Sequence, residues 1–345
     1  MVSPAKLVQR LKASTALTAI IAIVSIITLI VVSTKQCKCN CGPQENFRWW
    51  WQPKPIPRVR TRPVLLDSDE LVLRRTRPDW RDSESRVTTV HDDFEYKWSE
   101  GAAGLTYFKD NNEYVTTGKD GRRLIVTSIN SIGGFADLQE DFPMFTDCYD
   151  NGKYGQGDFY ESTKMLVPII CGNDTLLNIR SGSRLGTRLT VRIPGIKARW
   201  VAYDKITGMM FVPHDQPNNK LLKIGIYKFT DIPLRSTIRY VRDLTLTQRI
   251  EDCTAGVFSE DGILWLLENG RDQGRVLGFH ISLDGVGNVI GRRKKIVNIP
   301  RPSSGILDRQ DFVGLARRNG DLMALLRNQD IGTDNVSIFQ ISGLM

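Results

Sequence analysis

Histidine is scarce in this chain: His91, His214 and His280 are the only three in 345 residues. None stands beside a recognisable nucleophile motif, and neither a Gly-x-Ser-x-Gly elbow nor a zinc-ligand spacing occurs. Those absences remove the serine-hydrolase and zinc classes that short motifs reveal. His280 falls out of phase with Leu277, Phe279 and Ile281, which gives it a structural role, while His214-Asp215 reads as a loop after Pro213. Cysteine is also sparse, six in all, and Cys37, Cys39 and Cys41 crowd into one short segment. Cys148, Cys171 and Cys253 remain, so one thiol is left over when two pair. Cys148 and Cys171 are the nearer couple, and closing a loop of about 20 residues stabilises by roughly 3 kcal/mol through lost chain entropy. Cys253 is expected to be buried and inert. Charge is not extreme: net +9, with 25% charged and 41% hydrophobic residues, which is ordinary globular composition.

What breaks the average is Ala13 to Thr34, 22 residues without a charge. At 1.5 Å per residue that length spans a hydrocarbon core of about 30 Å. The run is longer than a cleaved signal's core and lacks a small-x-small cleavage site, so it reads as a transmembrane helix. Lys6, Arg10 and Lys12 precede it and Lys35 and Lys38 follow, a bias that keeps the N-terminus in the cytosol. Sequons at Asn173 and Asn335 are usable in that same orientation. The expected organisation is a type II signal-anchor glycoprotein of the cell or virion membrane. Its parts are a cytosolic tail over 1–12, the helix over 13–34, a Cys/Trp/Pro-rich stalk over 35–65 and an ectodomain over 66–345. Outside the cytosol, Cys37, Cys39 and Cys41 suit interchain disulfides that make the protein a homo-oligomer; inverted, they read as palmitoylation sites. Four prolines within residues 53–63 impose an extended spacer.

The ectodomain reads as all-β. Two apolar runs, Thr254–Phe258 and Ile263–Leu267, are joined by Asp261-Gly262, a pair that tolerates the positive φ of a tight turn. A third strand follows after Gly274. The pattern recurs around Thr207-Gly208 and Asn319-Gly320, and earlier at Asp110–Asn112. A small residue in each first strand (Gly104, Ala202, Gly256, Gly314) gives spacings of 98, 54 and 58 residues. Met165–Cys171 and Leu176–Ile179 supply the unit missing from the first gap. A period of about 50 residues of antiparallel strands predicts a β-propeller, with small residues where innermost strands crowd a channel. Residues 100–345 hold five blades; residues 64–99 add a sixth or only a closing strand, for which Leu71–Leu73 is a candidate.

Three stretches are candidates for contact. Tyr149–Asp158 is a Gly-rich polar loop of the kind a scaffold uses for binding. Glu251, Asp252 and Asp311 each precede an innermost strand, and converging there they would suit calcium; otherwise they are solvated loop acids. Arg292, Arg293, Lys294 and Lys295 lie in the loop between the last two blades, either solvated or a patch for acidic glycans or phospholipid headgroups. Nucleic acid is discounted because the body faces away from the cytosol.

Ser259–Trp265, with its counterpart Arg318–Leu322, resembles blade hairpins of two propeller groups. Resemblance to the olfactomedin domain, a five-bladed extracellular head, implies adhesion or receptor binding, with a calcium ion in the channel of some members. Resemblance to the six-bladed lactonase and strictosidine-synthase-like group implies a channel calcium and hydrolysis. The reading these residues support is a non-enzymatic membrane protein whose propeller binds a protein or glycan partner. The alternative is a calcium-dependent lactonase or esterase.

Overall fold

The computed structural model describes residues 84–95, 102–109, 112–118, 123–129, 135–143, 148, 152–181, 185–215, 220–232, 235–302, 310–330 and 333–344. The chain divides into two units, Met1–Arg62 and Pro63–Met345, and the described residues all lie in the second. The expected membrane helix, Cys37, Cys39 and Cys41, and Leu71–Leu73 lie outside the described residues. Among those described, no helix is long and apolar enough to cross a membrane.

Every regular element described is a strand, and the fold is all-β. After β1 (Arg86–Glu95) comes a meander of β2 (Leu105–Phe108), β3 (Glu113–Gly118), β4 (Arg123–Ile129) and β5 (Phe135–Pro143). In the second set, β6 (Lys153–Tyr154) and β7 (Asp158–Glu161) both pair with β8 (Lys164–Cys171), and β9 (Asp174–Ser181) and β10 (Gly186–Ile193) extend the sheet outward. The third is β11 (Ala202–Asp204), β12 (Met209–Asp215), β13 (Lys220–Ile232) and β14 (Arg235–Glu251). The fourth is β15 (Cys253–Phe258), β16 (Leu264–Asn269), β17 (Gln273–Leu283) and β18 (Val289–Pro300). The last is β19 (Gln310–Arg318), β20 (Asp321–Asp330) and β21 (Thr333–Ser342), with β1 added outside β21. First strands touch in a closed cycle: β2, β7, β11, β15, β19 and back to β2. The arrangement is propeller-like.

Hydrophobic burial explains why the sheets stand face to face. The core is five clusters, each filling the gap between consecutive meanders. Strands covered on both faces read as unbroken apolar runs, as Leu264–Leu267 does, whereas outer β18 exposes its middle. Asn319 and Gly320 both take positive φ, 51° and 91°, as a two-residue hairpin turn of matching twist requires. The place beside β21 is taken by Arg86–Glu95 rather than by Leu71–Leu73, because a strand just upstream of β2 returns to the ring by the shorter connection. Cys148 and Cys171 form the expected disulfide, with Cα atoms 5.6 Å apart, and Cys253 is a free, buried thiol.

Tyr149–Asp158 is not wholly a surface loop. Lys153 to Asp158 runs along the ring axis as the inner strand of the second meander, broken at a single bridge, Gln156 to Trp200. A side chain at Gly155 would place its Cβ 2.2 Å from the Arg199 carbonyl oxygen, and one at Gly157 would sit 2.4 Å from that of Leu166. Glycine therefore lets the chain reach the axis, where Gln156 crosses it. Its Nε2 donates to the carbonyls of Gly256 (3.0 Å) and Leu315 (2.9 Å), and its Oε1 accepts from Leu315 N–H (2.8 Å). Its own N–H donates to the Arg199 carbonyl and its carbonyl accepts from Val201 N–H. Gln156 is 3% exposed, so each of these groups lacks water as a substitute.

Replacing Gln156 by Leu is expected to lower stability by about 3 kcal/mol or more, since it strands three buried backbone groups at about 1–3 kcal/mol each. A urea-denaturation midpoint close to the parent's would remove the axial role.

Candidate functional site

All the inner strands run in the same direction through the ring, so the ring has one mouth at their N-terminal ends and one at their C-terminal ends. The sequence points to the first, and the described cavity lies at the second. It encloses about 350 Å³ and is lined by residues from the last turns of all the inner strands, among them Tyr107, Asp158, Tyr203, Lys205, Glu260 and Arg317.

Asp158 is the most constrained of these. Its Oδ1 accepts from Phe159 N–H and its Oδ2 from Tyr203 N–H, each at 2.8 Å, which clamps the carboxyl between the second and third meanders. Burial pushes its pKa up to about 6, against the pull of Tyr203 N–H, Arg317, Lys205 and Phe159 N–H in the other direction. The ammonium of Lys205 is held below its ordinary range by desolvation at the wall, with Asp158 and Glu260 opposing and Arg317 and Lys109 reinforcing the effect. Arg317 lies 3.7 Å from Glu260. Burial also holds the Tyr203 phenol up. Among the described lining residues there is no histidine or cysteine. Ser259, the hydroxyl that a nucleophile reading would choose, is occupied as a turn cap, bonded to Asp261 and to the Ile263 backbone. The arrangement suits recognition of an acidic group, with one carboxyl poised to change charge in mildly acid solution.

At the opposite mouth, Asp252 and Asp311 do come together, both accepting from Asn269 Nδ2 at 3.0 Å. Glu251 does not join them; it is exposed and paired with Lys220 at 2.9 Å. Asp252 also bonds Arg199, and Asp311 bonds Arg327, each at 3.1 Å. Asn269 Oδ1 accepts from Phe312 N–H and from Arg301, which fixes the amide with its nitrogen toward the carboxylates. The donor set does not fit calcium, because guanidinium and amide N–H groups stand where further oxygen ligands are needed. Among the described residues, no group of three His, Cys, Asp or Glu could hold a metal ion. Asp252 takes a φ of 42°, left-handed for a non-glycine residue, and its backbone carbonyl accepts from Asn269 N–H.

Two other sequence readings change place. Arg292–Lys295 lie within β18 rather than in a loop, and Lys295 is turned aside to the Gly343 carbonyl. His214 lies in β12 rather than in a loop: a bulge between Pro213 and Asp215 aims its ring over Gly225, with Nδ1 3.0 Å from Asp243 and Nε2 on the Tyr227 hydroxyl. Asn173 sits in the exposed turn between β8 and β9, whereas Asn335 is half-buried within β21. Lys205 and Arg317 were missed, and Asp158 entered only as the last residue of the Tyr149–Asp158 stretch. The signal that finds them is positional: Asp158 opens β7, the last stretch of its inner strand, Lys205 directly follows β11 and Arg317 is the penultimate residue of β19, each within a few residues of a turn.

No protein-family model and no curated protein sequence matches this chain. Solved structures similar in fold include a luciferin-regenerating enzyme, at 10% identity and a TM-score of 0.45, covering 76% of this chain and 96% of that one. A streptogramin B lyase is similar at 12% identity and a TM-score of 0.35, covering 73% of this chain and 72% of the lyase. The periplasmic gluconolactonase of Pseudomonas aeruginosa is similar at 10% identity and a TM-score of 0.39, covering 70% of this chain and 73% of that enzyme.

Proposed function

We propose that the described unit is a five-bladed propeller serving as a binding head, carried outside the cytosol on a type II anchor and a disulfide-capable stalk. Its ligand site is the C-terminal mouth of the ring, and its ligand is a carboxylated sugar terminus on another surface. One observation carries this reading: a recessed cavity with the cations Lys205 and Arg317 on its wall and no histidine or cysteine among its described lining residues. A guanidinium matches a carboxylate in shape and charge, and Tyr107 and Tyr203 provide apolar ring surface for a sugar. Asn173, in its exposed turn, is the better placed of the two glycosylation sites.

The raised carboxyl of Asp158 favours a second reading, a hydrolase of lactones or esters in which Asp158 is the general acid or base. Turnover of simple lactones, abolished in Asp158→Asn, supports that reading; binding of carboxylated sugars without turnover supports the first.

Arg317→Ala is expected to weaken binding of a carboxylated monosaccharide at least tenfold, about 1.4 kcal/mol, in titration calorimetry. Affinity within twofold of the parent's would dismiss Arg317 as the anion partner. Asp158 also predicts a pH dependence of stability. Its folded pKa of about 6 lies above its ordinary 3.8, so its contribution is fully present below about pH 4 and is lost as pH rises through 6. Urea midpoints of the parent should fall across that window relative to those of Asp158→Asn; parallel profiles would contradict the assignment.

A further inference from the structure

The third and fourth meanders are fused at their outer edges. β14 and β18 pair in parallel, Leu244 beside Val289, Thr245 beside Ile290 and Leu246 beside Gly291. Beyond that point the strands stay together, since Arg293 N–H donates to Thr247 Oγ1 and the Arg293 guanidinium bonds Gln248. Arg249 of β14 therefore lies level with Arg292–Lys294 of β18. Lys223, opposite Thr245 on β13, and His280, opposite Arg292 on β17, flank the same band.

Arg249, Arg292, Arg293 and Lys294 are all exposed, and none of the ion pairs formed among the described residues includes any of them. The neighbouring acids are chiefly engaged elsewhere, Asp243 with His214 and Glu251 with Lys220, although Glu251 also feels the charge of Arg249. Adjacent strands lie about 4.8 Å apart, so like charges gathered across them repel and hold counterions. A linear polyanion relieves that repulsion and releases the ions, while a single small anion spans too little of the band. No exposed Tyr, Trp or Phe stands among these cations to stack a nucleobase, since Phe279 opposite Arg293 is buried, and strand backbones make the surface flat, without a pocket for an apolar anchor.

We propose that this seam is a docking track for an extended sulfated polysaccharide, separate from the pocket at the ring's mouth. The test measures binding of the full chain to immobilised heparin fragments of increasing length, at several salt concentrations. Affinity is expected to rise with fragment length and to fall with salt. Arg292→Glu combined with Lys294→Glu, and separately Arg249→Glu, should each weaken binding at least tenfold and flatten the salt dependence. Three results overturn the proposal: no heparin binding at physiological salt, equal binding by the seam variants, or equal or stronger retention on RNA or on anionic phospholipid vesicles.

Discussion

A ring of radial sheets leaves a polar problem at its centre. Each inner strand pairs on one side only, so its other row of N–H and C=O groups faces the axis, where water is excluded. Gln156 answers that problem with one side chain. Its amide carries two donors and an acceptor, enough to satisfy the fourth and fifth meanders, while its backbone satisfies the third. Thr106 of the first meander donates to the adjacent Gly157 carbonyl. Every inner strand is thus tied to one short stretch of the second meander, and the ring's radius is set by the length of a glutamine. An apolar residue there would leave the surrounding backbone groups buried and unpaired.

The two mouths differ in how far their charges are neutralised within the protein. At the N-terminal mouth, the carboxylates of Asp252 and Asp311 each meet an arginine, and Asn269 joins them, so charge is neutralised within the protein. Arg199 comes from the third meander, Asn269 from the fourth and Asp311 from the fifth, so the network also binds adjacent sheets. At the C-terminal mouth the closure is partial, since Arg317 pairs with the exposed Glu260 at 3.7 Å. Asp158 is satisfied by backbone N–H groups, which leaves Lys205 free of a direct carboxylate partner among the ion pairs formed there. A cation without a carboxylate partner remains available to an incoming acidic group.

Much of the architecture was legible because turns carry strong local chemistry. Asp261-Gly262 and Asn319-Gly320 announce hairpins through the φ angles that only such residues accept, and the small residues of the first strands mark the crowded axis. The disulfide followed from sequence proximity. What misled was composition read without depth: Gly155-Gln156-Gly157 looks like a polar loop, yet glycine is there for close approach and glutamine for its amide. Arg292–Lys295 likewise looks like a loop, because an outer strand facing water needs no apolar alternation. The site was sought at the N-terminal ends of the inner strands, where acids cluster in sequence. The sequence does not show that arginines from distant blades already satisfy those acids.

The axial amide and the pocket are coupled by strand geometry. Asp158 stands two positions after Gln156, and Arg317 two positions after Leu315, the residue that Gln156 grips with both ends of its amide. Side chains two apart on a strand leave the same face, about 6.6 Å further along. The hydrogen bonds that hold Gln156 to Leu315 therefore also fix the separation of a poised carboxyl from the guanidinium across the mouth. Coulomb energy varies inversely with that separation and is large where water is scarce. The third and fourth meanders are hydrogen-bonded edge to edge through β14 and β18. The glutamine that closes the axis therefore also helps set the backbone positions from which the pocket's carboxyl and guanidinium project.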